Sequence, residues 1–311
     1  MQGCLKTSTL GCKVNRLAMM NKLGLSLVIG VMLLAIGCGP RSALDKLRSS
    51  AENGDANAQA CLGDFYSVGN GVSSNRGTAM KWYRKAAEQG LPKAQKSLGL
   101  LCLEDDKAEA VKWFRKAAQQ GDAGAELYLG ASYYKGCGVI EDKVEAVRWI
   151  RKSAEQGYAE AQVILGKCYY NGIGVGKDVS EAMQWFRKAA SQGMYEAENA
   201  LGDCYTLSEG LLAYKVEAAK WYRKAAEHGL VEAQLNLGCC YRVGHGVMPD
   251  FVEAYKWLRL AGDAGNKRAV EMYSELAKKM TREQIGNALM LADDWQKKKK
   301  AKTAIKYYPA Q

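Results

Sequence analysis

Two histidines, ten cysteines and one glycine-rich loop ending in lysine are the residues of this 311-residue chain whose types could carry catalysis or ligand binding. A histidine base needs a nucleophile or carboxylate held beside it. His228 stands in Glu227-His228-Gly229 and His245 in Gly244-His245-Gly246, and no partner keeps a fixed spacing to either. Metal sites built from Cys-x-x-Cys or His-x-x-x-His spacing are absent. Gly172-Ile173-Gly174-Val175-Gly176-Lys177 looks like a phosphate loop. That motif needs Gly at 171 and Ser or Thr at 178, where Asn171 and Asp178 stand. An acidic side chain there repels phosphate. The reading is therefore no catalytic residue, no metal, no cofactor, no small-molecule substrate and no nucleic acid.

The cysteines point to packing. Cys4, Cys12 and Cys38 lie in the N-terminal segment, which leaves Cys61, Cys102, Cys137, Cys168, Cys204, Cys239 and Cys240. An odd number leaves at least one thiol unpaired. Cys168, Cys204 and Cys240 recur every 36 residues. Helix axes stack about 8–10 Å apart, whereas a disulfide wants Cα atoms within about 7 Å. Small buried core residues are the better reading.

That recurrence belongs to a larger one. Trp82, Trp113, Trp149, Trp185, Trp221 and Trp257 follow at intervals of 31, 36, 36, 36 and 36. Leu-Gly pairs at 62, 98, 129, 165, 201 and 237, and glycines at 54, 90, 121, 157, 193, 229 and 265, keep step. A fixed period of this length means an array of stacked units that contact their neighbours. Each unit reads as two helices. In the first, Ala161, Leu165, Gly166 and Tyr169 fall on one side, and the small residues admit a close neighbour. Gly-x-Gly-Val makes the loop at 69, 136, 172 and 244. The second helix opens on Asp142, Asp178 or Asp250, each three before a Glu, which predicts a reciprocal capping box. It presents Ala146, Trp149 and Ala154 to the core and keeps its Arg-Lys pair solvated near the helix C-terminus.

Leu-Gly-x-x-Tyr, Gly-x-Gly-Val, Asp-x-x-Glu-Ala and Trp-x-Arg-Lys-Ala-Ala-x-x-Gly together resemble the Sel1-like repeat family, relatives of the tetratricopeptide arrays. The resemblance runs from residue 44 to about 276. It implies an all-α fold, a right-handed α/α solenoid of about six helix-turn-helix repeats with terminal capping helices, acting as a protein-binding scaffold. Six repeats would occupy 57–267, between a capping half repeat at 44–56 and capping helices at 268–296. Two repeats depart. The second has lost its Gly-x-Gly-Val loop, which predicts a tighter turn and altered superhelix curvature at 102–108. The fifth has Ser208 to Leu211 for the loop and Tyr214 in place of the capping Asp. A cysteine-rich branch of the family is linked to penicillin binding and β-lactamase activity. Its cysteines pair between the end of the second helix and the next repeat. Here those places hold Ala118, Ala154 and Ala190. A cell-wall-active hydrolase is thus the second reading, without its cysteines.

The ends carry the charge. Of the net +11, residues 1–37 hold four basic groups and 296–311 hold six, with no acid in either. Setting those aside leaves about +1 for the repeat body, with no basic face to follow a phosphate backbone. Leu23 to Gly37 is an apolar run behind Lys22, too short for a comfortable membrane span. Residues 1–37 read as a signal peptide. Ala35-Ile36-Gly37-Cys38 resembles the lipobox of bacterial lipoproteins, which implies lipidation of Cys38, and Gly39 by the same rule implies the outer membrane, facing the periplasm. Simple secretion and an uncleaved anchor remain alternatives, and Met19 or Met20 are alternative starts. Residues 38–43 read as a tether. Lys279 to Trp295 reads as a terminal helix with a Thr281/Gln284 capping box, and 297–311 as a disordered basic tail.

Partner binding is expected on the first helix, at positions two before, two after and five after each repeat Leu. Those are Asn199, then Lys167 and Asp203, then Tyr134, Tyr170 and Arg242. Tyr and Arg are common anchors, and Tyr134 with Tyr170 would form an aromatic stripe for a protein or peptide partner.

Overall fold

The computed structural model describes residues 40–69, 73–207 and 212–307. The expected signal segment and Cys38 lie outside the described residues. The described chain is helical throughout. α1 (Pro40–Glu52), α2 (Ala56–Val68), α3 (Arg76–Glu88), α4 (Pro92–Cys102), α5 (Lys107–Gln119) and α6 (Ala123–Lys135) form a first compact unit ending at Ile140. The second unit starts at Glu141. It contains α7 (Lys143–Glu155), α8 (Ala159–Asn171), α9 (Val179–Ser191), α10 (Tyr195–Leu207), α11 (Leu212–Glu227), α12 (Val231–Val243), α13 (Phe251–Asp263), α14 (Lys267–Ala277) and α15 (Arg282–Tyr307).

Helices form hairpins because one glycine lets two of them touch. In each repeat the Ala and Leu of the first helix are buried, as with Ala161 and Leu165. The adjacent Gly carries a ring from the second helix directly on its backbone. A Cβ on Gly166 would stand 2.6 Å from Phe186, and one on Gly99 would stand 2.7 Å from Phe114. Tyr83 and Tyr222 lie on Gly63 and Gly202 in the same way, and Leu258 on Gly238. The core residue of the second helix is therefore the one after the tryptophan. Tyr83, Phe114, Ile150, Phe186, Tyr222 and Leu258 are all buried. Trp82, Trp113, Trp149 and Trp221 are only half-buried, while Trp185 and Trp257 are buried, so the expectation that Trp faces the core holds in two of the six repeats. Each fully buried side chain of this size contributes about 1.5–3 kcal/mol.

The caps form, though not as boxes. Asp142 and Asp178 accept from the backbone N–H of Glu145 and Glu181 at 2.9 Å. The glutamates turn forward and accept from the indole one helical turn on, Trp149 Nε1 to Glu145 at 2.9 Å and Trp185 Nε1 to Glu181 at 3.1 Å. A buried-edge indole N–H needs an acceptor, and the i,i+4 spacing supplies one.

The loop between helices uses its second glycine to reach the preceding repeat. Gly174 has φ +69° and sits against the Lys143 carbonyl at the start of α7. Gly138 and Gly246 sit likewise on Lys107 and Lys215. The segment that looks like a phosphate loop is this turn. In the second repeat residues 103–106 alone join α4 to α5, with Asp106 N–H bonded to the Cys102 carbonyl at 2.8 Å. The expected tighter turn is present. Arg76 from α3 fills the space of the missing loop, bonding the Leu101 carbonyl and pairing with Asp105 at 2.7 Å.

The ends differ from expectation. α1 begins at Pro40, inside the expected tether, because proline suits the first turn of a helix. Its Leu44, Leu47 and Ala51 cover Ala58 and Leu62. At the other end the Thr281/Gln284 box closes at 2.9 and 3.2 Å. α15 then continues to Tyr307, through most of the stretch expected to be disordered. Gln296 to Lys302 are good helix formers, and extending a nucleated helix adds a bond for each residue fixed. Ala288 and Ala292 are buried, and Trp295 meets Trp257 edge-on at 6.0 Å, so α15 closes the second unit over α13. α11 begins at Leu212, which places Tyr214 inside the helix instead of at its cap.

Candidate functional site

Two sets of side chains link one repeat to the next, and a third set packs within each second helix. The first is a glutamine ladder. Gln59, Gln95, Gln162 and Gln234 are buried on their first helices, and each donates to the carbonyl of an alanine near the end of the preceding helix: Ala51 at 3.0 Å, Ala87 at 3.1 Å, Ala154 at 3.2 Å and Ala226 at 3.4 Å. Gln89, Gln120 and Gln192 close the ladder from the other side by donating to Gln59, Gln95 and Gln162. Buried amides bonded on both ends are cheap to hold and costly to mispair. The second set joins arginine to tyrosine eighteen residues on. Arg115 reaches Tyr133 at 3.0 Å, Arg151 reaches Tyr169 at 2.6 Å, Arg187 reaches Tyr205 at 3.1 Å and Arg223 reaches Tyr241 at 2.6 Å. The Arg of the Arg-Lys pair is therefore committed between repeats. The third set is the lysine beside it, which lies over the tryptophan, as Lys188 over Trp185 at 4.0 Å.

With these in place, the six expected partner-binding residues separate into two groups. Asp203 and Asn199 are engaged in the fold. Tyr222 donates to Asp203 at 2.8 Å, Asn199 donates to Asp203 at 3.3 Å and Asn236 donates to Asn199 at 3.1 Å. Tyr83 and Asp64 make the same pair at 2.6 Å in the first repeat. The sequence signal was the co-occurrence: where the ring residue is Tyr, the position two after the repeat Leu is Asp. Elsewhere it is Leu100, Ala131, Lys167 or Cys239. Tyr170 is half-buried against the α9–α10 core, and burial pushes its hydroxyl up to about 12. Lys167 and Arg242 are exposed. Tyr134 is half-buried and belongs to the first unit, whereas Tyr170 belongs to the second.

Burial raises the Asp203 carboxyl above its ordinary value, and the Tyr222 hydrogen bond pulls it back only in part. A raised carboxyl means that the folded state holds the proton more tightly than the unfolded one. Its contribution is thus full below the unfolded value, about 4, and is lost as pH rises through the folded value. Asp203→Asn removes that loss. Its melting temperature should exceed that of the parent at pH 7 and match it at pH 3. Equal melting at pH 7 would show that Tyr222 requires the charge.

The seven described cysteines are free thiols. Cys102, Cys168, Cys204 and Cys240 are buried, and burial pushes Cys102 and Cys168 up to about 11 and Cys204 and Cys240 up to about 12. Thiols so held are poor nucleophiles. His228 stacks on Tyr195 with ring centres 4.0 Å apart. His245 instead borders a cavity of about 150 Å³ between α10, α11 and α12, whose wall includes Thr206, Lys215, Asn236, Cys239 and Val243. Sequence reading missed this cavity, because its wall is assembled from three helices.

The Sel1 repeat model matches residues 56–91, 93–122, 123–158, 159–194, 196–230 and 231–266. A protective antigen of uropathogenic Escherichia coli strains displaying an SLR fold is 35% identical, with a TM-score of 0.73 over 83% of this chain. This chain covers 56% of the length of that antigen. A Sel1 repeat protein from Oxalobacter formigenes is 33% identical, with a TM-score of 0.66, over 83% of this chain and 75% of its own. No curated protein matches. These likenesses and the repeated hairpins make the fold an all-α solenoid.

Proposed function

Because this chain belongs to the Sel1 repeat family, whose members typically mediate protein–protein interaction, we propose that it is a non-enzymatic scaffold that binds a protein partner at the bacterial cell envelope. The observation that carries this is a division of labour within each repeat. Inward positions repeat their residue types and contacts, namely the Leu-Gly pair, the ring upon it and the glutamine ladder. The position two after each Leu, by contrast, holds Asp64, Leu100, Ala131, Lys167, Asp203 and Cys239 in turn, the two aspartates serving the frame and the other four differing from one repeat to the next. A scaffold holds its frame constant and varies what it presents.

The envelope placement rests on Cys38 in Ala35-Ile36-Gly37-Cys38, with lipidation and the periplasmic face of the outer membrane as its consequence. Two measurements test the two halves. A photo-crosslinking residue at Arg242, in the full chain in its own membranes, should give one discrete adduct; a featureless smear or none removes the scaffold reading. An alkyne-tagged fatty acid should label the parent and not Cys38→Ser, and an unlabelled parent removes the lipid anchor. Covalent capture of a fluorescent penicillin by the purified chain would replace the scaffold with the hydrolase reading.

A further inference from the structure

The cavity between α10, α11 and α12 lies where two consecutive repeats expose apolar residues at matching places, and one of these residues, Val243, lines it. Leu207 and Val243 are the last residues of α10 and α12, one repeat apart, and are 48% and 59% exposed. Leu212, which opens α11, and Met248, one repeat on and ahead of α13, are 69% and 86% exposed. In the repeat before them the same two places hold Asn171 and Gly176. Val68 and Ile140 each fill one of these places in the first unit, but both places are apolar together only in these two consecutive repeats, and clustered exposure of this kind marks an interaction site.

The charge around the cavity is one-sided. Lys215 lines it and Arg242 is exposed on α12 next to Val243. Among the described residues neither has an acidic partner. The nearby acids are already committed, Asp203 to Tyr222 and Asn199, and Asp250 to the backbone of α13. The wall is apolar on the side of Ala218, Cys240 and Val243, and polar at Thr206, Asn236 and His245. About 150 Å³ accommodates one aliphatic side chain and its hydrogen-bonding backbone, not a cofactor.

We propose that this cavity and its rim form a docking site for a protein segment that inserts one aliphatic side chain and places acidic residues against Lys215 and Arg242. The proposal rests on the scaffold reading and names the place and the chemistry of its partner. The cavity supplies the desolvated anchor, the rim excludes water around it, and the two cations set direction and on-rate.

The test uses the full chain in detergent and a phage-displayed library of random dodecapeptides. Enriched peptides are expected to carry Leu, Ile or Met within two residues of Asp or Glu. As synthetic fluorescent peptides they should bind about tenfold more weakly to Val243→Asp and to Lys215→Glu. Val243 is exposed and Lys215 half-buried, and unchanged thermal melting by circular dichroism verifies the fold of each variant. A peptide with its acids changed to Lys should regain affinity for Lys215→Glu, which a merely structural role for Lys215 would not produce. Peptides that bind both variants as tightly as the parent overturn the site while leaving the scaffold reading intact. No enrichment overturns the site, and the Arg242 crosslink then decides the scaffold reading separately. Two further results overturn it in favour of other occupants. One is sedimentation with phosphatidylglycerol vesicles that Val243→Asp abolishes, which makes the rim a membrane contact. The other is a dimer that Val243→Asp dissociates, which makes it a contact between copies.

Discussion

Replacing Phe186 by alanine is expected to destabilise the second unit by about 3–5 kcal/mol, the range for removing a buried aromatic ring. Phe186 is 1% exposed and belongs to the α9–α10 core. Its site should sit at the upper end, because the ring rests on Gly166, which has no side chain to move into the void. Amide hydrogen exchange reads the loss locally. α8 and α9 should exchange about three orders of magnitude faster or more, since about 1.4 kcal/mol is a factor of ten. A decisive second measurement follows from the same geometry. Gly166→Ala alone forces a methyl to 2.6 Å from the ring and should destabilise. In the Phe186→Ala background the same methyl enters empty space and should stabilise. A sign reversal is a coupling that additive effects cannot imitate. A loss below about 1 kcal/mol for Phe186→Ala would mean that α8 and α9 collapse onto each other without the ring.

Gly174→Ala is expected to cost about 2–4 kcal/mol for two reasons that a control separates. The residue has φ +69°, where an L side chain costs about 1–2 kcal/mol, and its Cβ would overlap the Lys143 carbonyl. Backbone cannot swing aside as a side chain can, so the loop must lift off α7 and lose its contact. Gly172→Ala shares the strained φ, at +71°, but its nearest atom is the Lys177 Cβ at 3.3 Å. It should cost only the conformational part. Urea unfolding of the three proteins should rank parent, Gly172→Ala and Gly174→Ala in falling stability. Equal losses for the two variants would show that the contact with Lys143 contributes nothing.

The period was plain from residue spacing, and so were the hairpins, the turn glycines and the caps. What the residues alone misplaced was direction within the repeat. Trp113 and Phe114 are adjacent and both apolar, and a period of 3.6 does not separate neighbours 100° apart when both are large. The glycine decides between them, because only Phe114 is placed to lie on Gly99. Arg187 was read by type, as solvated, although its constant offset to Tyr205 was present in the numbering, and the Gln162–Gln192 offset was not singled out. Asn199 and Asp203 were correctly placed away from the repeat Leu and wrongly taken as free. Their partners, Asn236 and Tyr222, come from other helices, and a single helix wheel does not contain them. The cavity beside His245 was invisible for the same reason. The tail failed on composition: a run of lysines is a solvated stretch by charge, yet each lysine is a good helix former once α15 has been nucleated by Thr281 and packed through Trp295.

The glutamine ladder bears on how such a chain changes length. Every rung meets the same atom, a backbone carbonyl of an alanine, so no rung recognises the particular repeat before it. Excising residues 195–230 would bring Gln234 opposite the Ala190 carbonyl in place of the Ala226 carbonyl, an equivalent surface to the incoming helix. Joints that are interchangeable in this way allow whole hairpins to be gained or lost by recombination without any new interface being invented. The fold is in this sense written as a unit of inheritance: thirty-six residues can be copied or deleted in frame, and what changes is the reach of the molecule and the order of what it displays.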